Sequence, residues 1–263
     1  MQNRIAITFD KLRREQRCGL VAYVTCGDPD PETTVEIVMA LESAGADFIE
    51  LGVPFSDPIA DGPVIQSASF RALERGTTMS DVLDIARSIR MRSQIPLILF
   101  SYLNPILQFG YDKFATAASD SGCDGVLVTD LPPEFSKELR AAMKRCDLKT
   151  VFLLSPTSSE DRIKLVDQMS DGFVYYVSTT GVTGARKDLD PALVGRLPEL
   201  KSRLSRPLAV GFGISTNAHY AALHSHCEAV VVGSAIVKAV GDGNREGAAE
   251  RAAAVVSTIV GRS

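Results

Sequence analysis

Eight short apolar runs recur along this chain, and stretches of amphipathic, helical period separate them. The runs cover residues 20–25, 47–53, 96–102, 125–130, 149–154, 173–178, 207–212 and 229–233. Each is too short for a buried helix and apolar nearly throughout, as a strand buried on both faces must be. Between them lie segments such as ETTVEIVMALESAG and EFSKELRAAMKRC, whose apolar positions repeat with helical spacing. Strands alternating with helices predict parallel βαβ units. Eight such units in 263 residues predict a closed (β/α)8 barrel in one domain over residues 1–263, a fold that typically needs roughly 250 residues. An open, doubly wound sheet is the alternative. Residues 5–17 read as an extra helix ahead of the first strand, placed to plug the bottom of the barrel.

Composition narrows the partners. A net charge of −4 leaves no basic footprint for nucleic acid. No apolar run approaches the roughly 18 residues that span a bilayer, and the charged start MQNRIAITFDKLRREQR is unlike a signal peptide. Five cysteines (Cys18, Cys26, Cys123, Cys146 and Cys227) are an odd number with no CxxC spacing. Reduced thiols in a cytoplasmic protein are the expectation.

In a barrel of this kind the chemistry sits at the C-terminal ends of the strands. The second strand, DFIELGVPF, carries a glutamate inside an apolar run. Alternation puts Ile49, Leu51 and Val53 on one face, toward the helices, and Phe48, Glu50 and Gly52 on the other, toward the barrel interior. A carboxyl buried there is costly unless it is paired or holds its proton. A raised pKa would suit a general acid/base; the alternative is a structural carboxylate paired with a buried arginine or with backbone donors. The loop that follows, PFSDPIADGP, is stiffened by three prolines and carries Asp57 and Asp61, which as isolated residues could equally be turn or cap groups.

The sixth strand offers Tyr175 and Tyr176, which must face opposite ways, and leads into the glycine- and threonine-rich stretch STTGVTGARKD. The seventh and eighth strands run into GFGIS and VVGSAIVK. Glycines let backbone amides approach a ligand, and the N-terminus of the helix that follows favours an anion. Gly213, Gly233 and Ser234, joined by Gly184 from the sixth loop, form a candidate phosphate cup.

Some chemistries lack their residues. No lysine stands at the C-terminal end of a strand to form a Schiff base, and there is no P-loop or complete GxGxxG. His224, His226 and Cys227 form a short HSHC cluster, but it falls on or after the helix that follows strand seven, away from the strand ends.

Taken together, these residues resemble the family of tryptophan synthase α subunits. The resemblance runs from the first strand to the eighth. Its most specific segment is IELGVPFSDPIADGP, residues 49–63, supported in order by YLNPI, GVTGAR, GFGIS and VGSAIVK. It implies a retro-aldol cleavage of indole-3-glycerol phosphate to indole and glyceraldehyde 3-phosphate, with neither metal nor Schiff base. The family's acid/base falls on Glu50, and the aspartate that holds the indole N–H falls on Asp61. Tyr175 falls near the substrate, and Thr183 in a loop that closes over the site and orders Asp61. Gly184, Gly213, Gly233 and Ser234 fall on the phosphate-binding positions. Tyr23, Phe100, Tyr102, Leu127, Phe212 and Val232 would line the indole slot.

The same resemblance implies an α2β2 tetramer in which a β subunit carries pyridoxal phosphate and receives the indole. No cofactor is expected in this subunit. The Asp57 loop and residues 105–109 are the expected contact with β. Sequence leaves open a free-standing lyase, an inactive regulatory barrel that only activates β, and a different phosphosugar enzyme such as an isomerase.

Overall fold

A computed structural model describes residues 3–177, 191–211 and 213–261. Thr183, Gly184 and Phe212 therefore lie outside the described residues, as does the segment 179–187. Eight strands, β1 (Gly19–Thr25), β2 (Phe48–Gly52), β3 (Leu97–Ser101), β4 (Gly125–Val128), β5 (Lys149–Leu154), β6 (Val174–Val177), β7 (Leu208–Gly211) and β8 (Ala229–Val232), close into one barrel in chain order. Every pairing is parallel, including the seam between β1 and β8. The open sheet is thereby excluded.

Alternation along each strand sorts side chains into two cores. Leu20, Ala22 and Val24 of β1 join Ile49 and Leu51 of β2 in the large core beneath the helices. Val21, Phe48, Ile98, Leu127, Val151, Tyr175, Ala209 and Val231 fill the barrel itself. Tyr175 points inward and Tyr176 outward, the split that alternation requires.

The helices form the outer ring because their sequences cap and pattern them to. Asp30 accepts the Thr33 amide and Pro31 opens the helix Pro31–Ala44. Thr78 and Asp81 cap one another at the start of Met79–Arg90. The last helix, Ala248–Val260, packs on Pro31–Ala44 and closes the ring. No described helix is long and apolar enough to cross a membrane.

The N-terminal helix spans Arg4–Arg14, with Asn3 accepting the Ile5 amide at its start. It ends earlier than the sequence pattern suggests because Gln16 takes a positive φ of 52°, which no helix can continue. Arg17 then turns away to grip Asp47 with two bonds of 2.8 and 2.6 Å. Ile5, Phe9 and Leu12 fall on one face and close the barrel floor, where the Phe9 ring lies 4.7 Å from that of Phe48. Arg4 and Arg90 both pair with the buried Asp124, which also accepts the Leu97 amide. The floor is thus sealed and pinned, which leaves the strands' C-terminal ends as the open mouth.

Candidate active site

Glu50 sits on the inward face of β2, in register with Tyr23 of β1 and Ile98 of β3. It is 1% exposed. Neither carboxyl oxygen has a hydrogen-bond partner among the described residues, so none of the described arginines neutralises it. Burial alone pushes its pKa up to about 8. An unpaired carboxyl in such a place keeps its proton at neutral pH, because losing it would strand a charge away from water.

The loop after β2 delivers Asp61 to the same mouth. A turn in which the Asp61 amide bonds Pro58 O at 3.0 Å shapes the loop, and Gln66 Nε2 ties Asp61 O at 2.8 Å. Asp61 is 5% exposed. The Tyr102 hydroxyl donates to its Oδ2 at 3.0 Å and accepts the Ala60 amide at 3.0 Å. Burial raises the Asp61 pKa and the Tyr102 bond lowers it, leaving it at about 6. The two carboxyls are therefore poised differently near pH 7, Glu50 protonated and Asp61 ionised, which is the separation that acid and base partners need. Asp57 faces the solvent instead, accepting the Ser56 hydroxyl.

Aromatic side chains frame the space above. Tyr23 meets Phe100 edge-on with centroids 5.2 Å apart. Leu127 pairs in register with Phe100 and faces the same interior. The Tyr175 hydroxyl lies over Gly211 on the next strand, where an added Cβ would come within 2.8 Å of it. Tyr102 stands against Phe55 at 5.1 Å and holds the Asp61 loop, so it is a clamp on a carboxylate as much as a wall.

Val232 is a different matter. Its neighbour Val231 points into the barrel, so Val232 points out and packs with Leu20, Ala22 and Val230 beneath the helices. Its side chain is not a wall of the interior slot, because adjacent residues on a strand cannot share a face.

Sequence reading also passed over several residues that the structure brings to this mouth. Leu153 and Val177 share the inward face with Tyr175 and are only partly buried. Ile65, on the helix Pro63–Glu74, packs against Tyr23. The first two were available from alternation with Val151 and Tyr175; Ile65 was not, since it depends on how a helix leans over the barrel.

The glycine turns of the last two strands lie side by side. Gly211 of β7 pairs with Val231 of β8, and Gly213 and Gly233 each follow two residues later. Gly213 has a φ of +66°, a conformation that favours glycine. Gly233 opens the eight-residue helix Ser234–Gly241 with no side chain capping it. Its first amides have no acceptor within the helix and can receive an anion. Ser234 stands at the first position of that helix. Among the described residues no group of three His, Cys, Asp or Glu is placed to hold a metal. His224 bonds Ala221 O at the end of its helix, and the Cys227 sulfur lies 3.9 Å from that of Cys18.

Against known families, residues 9–260 match the model of the tryptophan synthase alpha chain. The chain belongs to the tryptophan synthase alpha chain family. Within that family it is 52% identical over 246 residues to the tryptophan synthase alpha chain of Solibacter usitatus, covering 94% of this chain and 92% of that one. The crystal structure of tryptophan synthase subunit alpha from Legionella pneumophila has a TM-score of 0.92 to it at 37% identity, covering 100% of this chain and 98% of the other. A chain of the tryptophan synthase α2β2 complex from Pyrococcus furiosus scores 0.86 at 38% identity, covering 92% of this chain and 98% of its own.

Proposed function

We propose that Glu50 and Asp61 carry the retro-aldol cleavage of indole-3-glycerol phosphate to indole and glyceraldehyde 3-phosphate. As a member of the tryptophan synthase alpha chain family the chain is a carbon–carbon lyase. The observation that supports the residue assignment best is Glu50 itself: a carboxyl inside the barrel, without a partner among the described residues, that burial keeps protonated at neutral pH.

The steps balance around that one proton. Glu50 protonates C3 of the indole ring, and positive charge develops on the ring nitrogen. Asp61, ionised above about pH 6, accepts the indole N–H and stabilises that charge as it forms. Glu50, now a carboxylate, takes the proton of the hydroxyl on the carbon attached to the indole. The carbon–carbon bond breaks, its electrons return to the ring, and an aldehyde leaves. Glu50 ends protonated, as it began.

The remaining groups position the substrate. Tyr23, Phe100 and Leu127 offer apolar faces to the indole, and Tyr175 stands beside them. Gly213, Gly233 and Ser234 receive the phosphate, whose binding energy holds the reacting bond against Glu50. Thr183 and Gly184 retain their expected roles as part of this proposal, with Phe212 as a further wall.

The Pyrococcus furiosus relative belongs to an α2β2 complex, and we carry the same assembly to this chain. Ile59, Leu107 and Phe135 are 78%, 52% and 77% exposed, large apolar side chains that follow β2, β3 and β4. Neighbouring strands place them along one side of the mouth, where a β subunit would take them out of water. Ile59 and Leu107 fall in the two segments expected from sequence; Phe135 extends that surface. On this reading the subunit works as one barrel domain over residues 1–263, in the cytoplasm, and needs no cofactor of its own. Pyridoxal phosphate belongs to the β partner, which consumes the indole.

The test is indole release from indole-3-glycerol phosphate, with and without β. Slow release alone and faster release with β fits the proposal. High turnover alone would make the chain a free-standing lyase, and no indole in either case would make it an inactive regulatory barrel.

A further inference from the structure

The order of strands around the barrel is β8, β1, β2. Glu50 stands on β2, and Gly233 and Ser234 follow β8. Any ligand that reaches both must cross the mouth end of β1, and the inward residues there are Tyr23 and Thr25.

Tyr23 spans that crossing. Its Cβ lies 3.6 Å from where a Cβ on Gly233 would stand. Its hydroxyl lies over Gly52, where an added Cβ would come within 2.2 Å of Oη. Gly52 is two residues past Glu50 on the same inward face, so the hydroxyl sits one layer above the acid. Thr25 is the register partner of Gly52. Its Oγ1 is buried with no hydrogen-bond partner among the described residues. It is near enough to the Tyr23 phenol to oppose, in part, the rise that burial causes in the phenol's pKa. The Tyr23 hydroxyl thus lies over Gly52, and Thr25 Oγ1 stands close to that phenol without completing a hydrogen bond of good geometry to any described group.

We propose that Tyr23 and Thr25 form a notch that binds the glycerol hydroxyl of the substrate that Glu50 does not take. The proposal rests on the assignment of Glu50 and the phosphate cup given above. With the reacting carbon at β2 and the phosphate at β8, the two carbons between them pass β1, and the one that bears a hydroxyl presents it there. A buried hydroxyl without a partner is unfavourable, and a substrate hydroxyl, donor and acceptor at once, satisfies it. A ligand lacking that group leaves Thr25 unpaired, so the notch selects for a polyol chain over an alkyl one. Tyr23 is then more than a face of the indole slot: its ring packs on Phe100 while its hydroxyl reads the chain.

The experiment measures binding by calorimetric titration in a Glu50→Gln background, where turnover is stopped and substrate persists. Two ligands are compared: indole-3-glycerol phosphate, and indole-3-propanol phosphate, which lacks both hydroxyls. Tyr23→Phe and Thr25→Val should each weaken binding of the first by roughly three- to tenfold. Binding of the second should not change. Equal weakening of both ligands would reduce the two residues to walls, and no change in either would remove them from recognition; each result overturns the notch. If the Glu50→Gln chain with Tyr23 and Thr25 intact binds neither ligand, the assignment of the site fails and the notch falls with it.

Discussion

Tyr102 donates its phenolic hydrogen to Asp61 Oδ2 across 3.0 Å while accepting the Ala60 amide from the same loop. The side chain at the end of β3 thus fixes both the position and the charge of the carboxylate delivered by the loop after β2. Burial raises the Asp61 pKa and this bond lowers it, with a balance near 6. Tyr102→Phe removes only the lowering part. The acid limb of kcat/KM should start near pH 6 and move up by about one unit in the variant. The alkaline limb, set by Glu50 near pH 8, should stay in place. A profile recorded from about pH 5 to 9 checks both limbs, and an unmoved acid limb would detach Tyr102 from Asp61.

Glu50 also makes folding depend on pH. Its folded pKa of about 8 stands above the ordinary 4.5. Below 4.5 the carboxyl is protonated in both the folded and unfolded chain and costs nothing. As pH rises toward 8 the unfolded chain ionises first, so stability is lost across that window. Glu50→Gln should therefore be more stable than the parent by about 4 kcal/mol near pH 8, with the gap closing toward pH 4.5. Urea unfolding at the two pH values measures it. A gap that is the same at both would mean that Glu50 is not held neutral.

Gly52→Ala tests the close approach of Tyr23. The new Cβ would stand 2.2 Å from Oη and 2.5 Å from Cζ, so the phenol must leave. The variant should lose about 1–3 kcal/mol of stability and about tenfold or more in kcat/KM. Tyr23→Ser in the same chain removes the clash, so the double variant should lose less stability than the two single losses added together, and its activity should not return. Strictly additive losses in melting temperature would place Tyr23 elsewhere.

Much of this was legible in the sequence because alternation is a local rule. Glu50 between Ile49 and Leu51 had to face the barrel once the neighbours' apolar side chains were assigned to the helices. The eight strands fall within two residues of the apolar runs at either end. What was not legible depends on distance in the chain. Tyr102 and Asp61 are 41 residues apart, and no pattern in either segment announces their bond. The Tyr23 hydroxyl over Gly52 needs the register of β1 on β2. Val232 shows a different limit: the run AVVVG reads as apolar throughout, and only the barrel says which valines face inward.

Phe9→Ala separates the floor from the mouth. Phe9 is buried against Phe48 and Phe173, with ring centroids 4.7 and 5.8 Å away. Truncation leaves a cavity under the barrel and should cost about 3–4 kcal/mol. Cleavage per folded molecule should be unchanged, because the chemistry stands at the other end of the strands. Chemical denaturation together with an activity assay at low temperature checks the two halves of that statement, and a large loss of kcat with little loss of stability would contradict it.

The most direct test of the chemistry is the rate of indole release by Glu50→Gln, measured beside the binding of indole-3-propanol phosphate and with β present. The shape of the side chain is kept and its proton transfer is lost. Cleavage should fall by a factor of about 10³ or more while the analogue still binds. Cleavage within a few fold of the parent, with binding intact, would remove Glu50 as the acid/base and with it the mechanism proposed for this barrel.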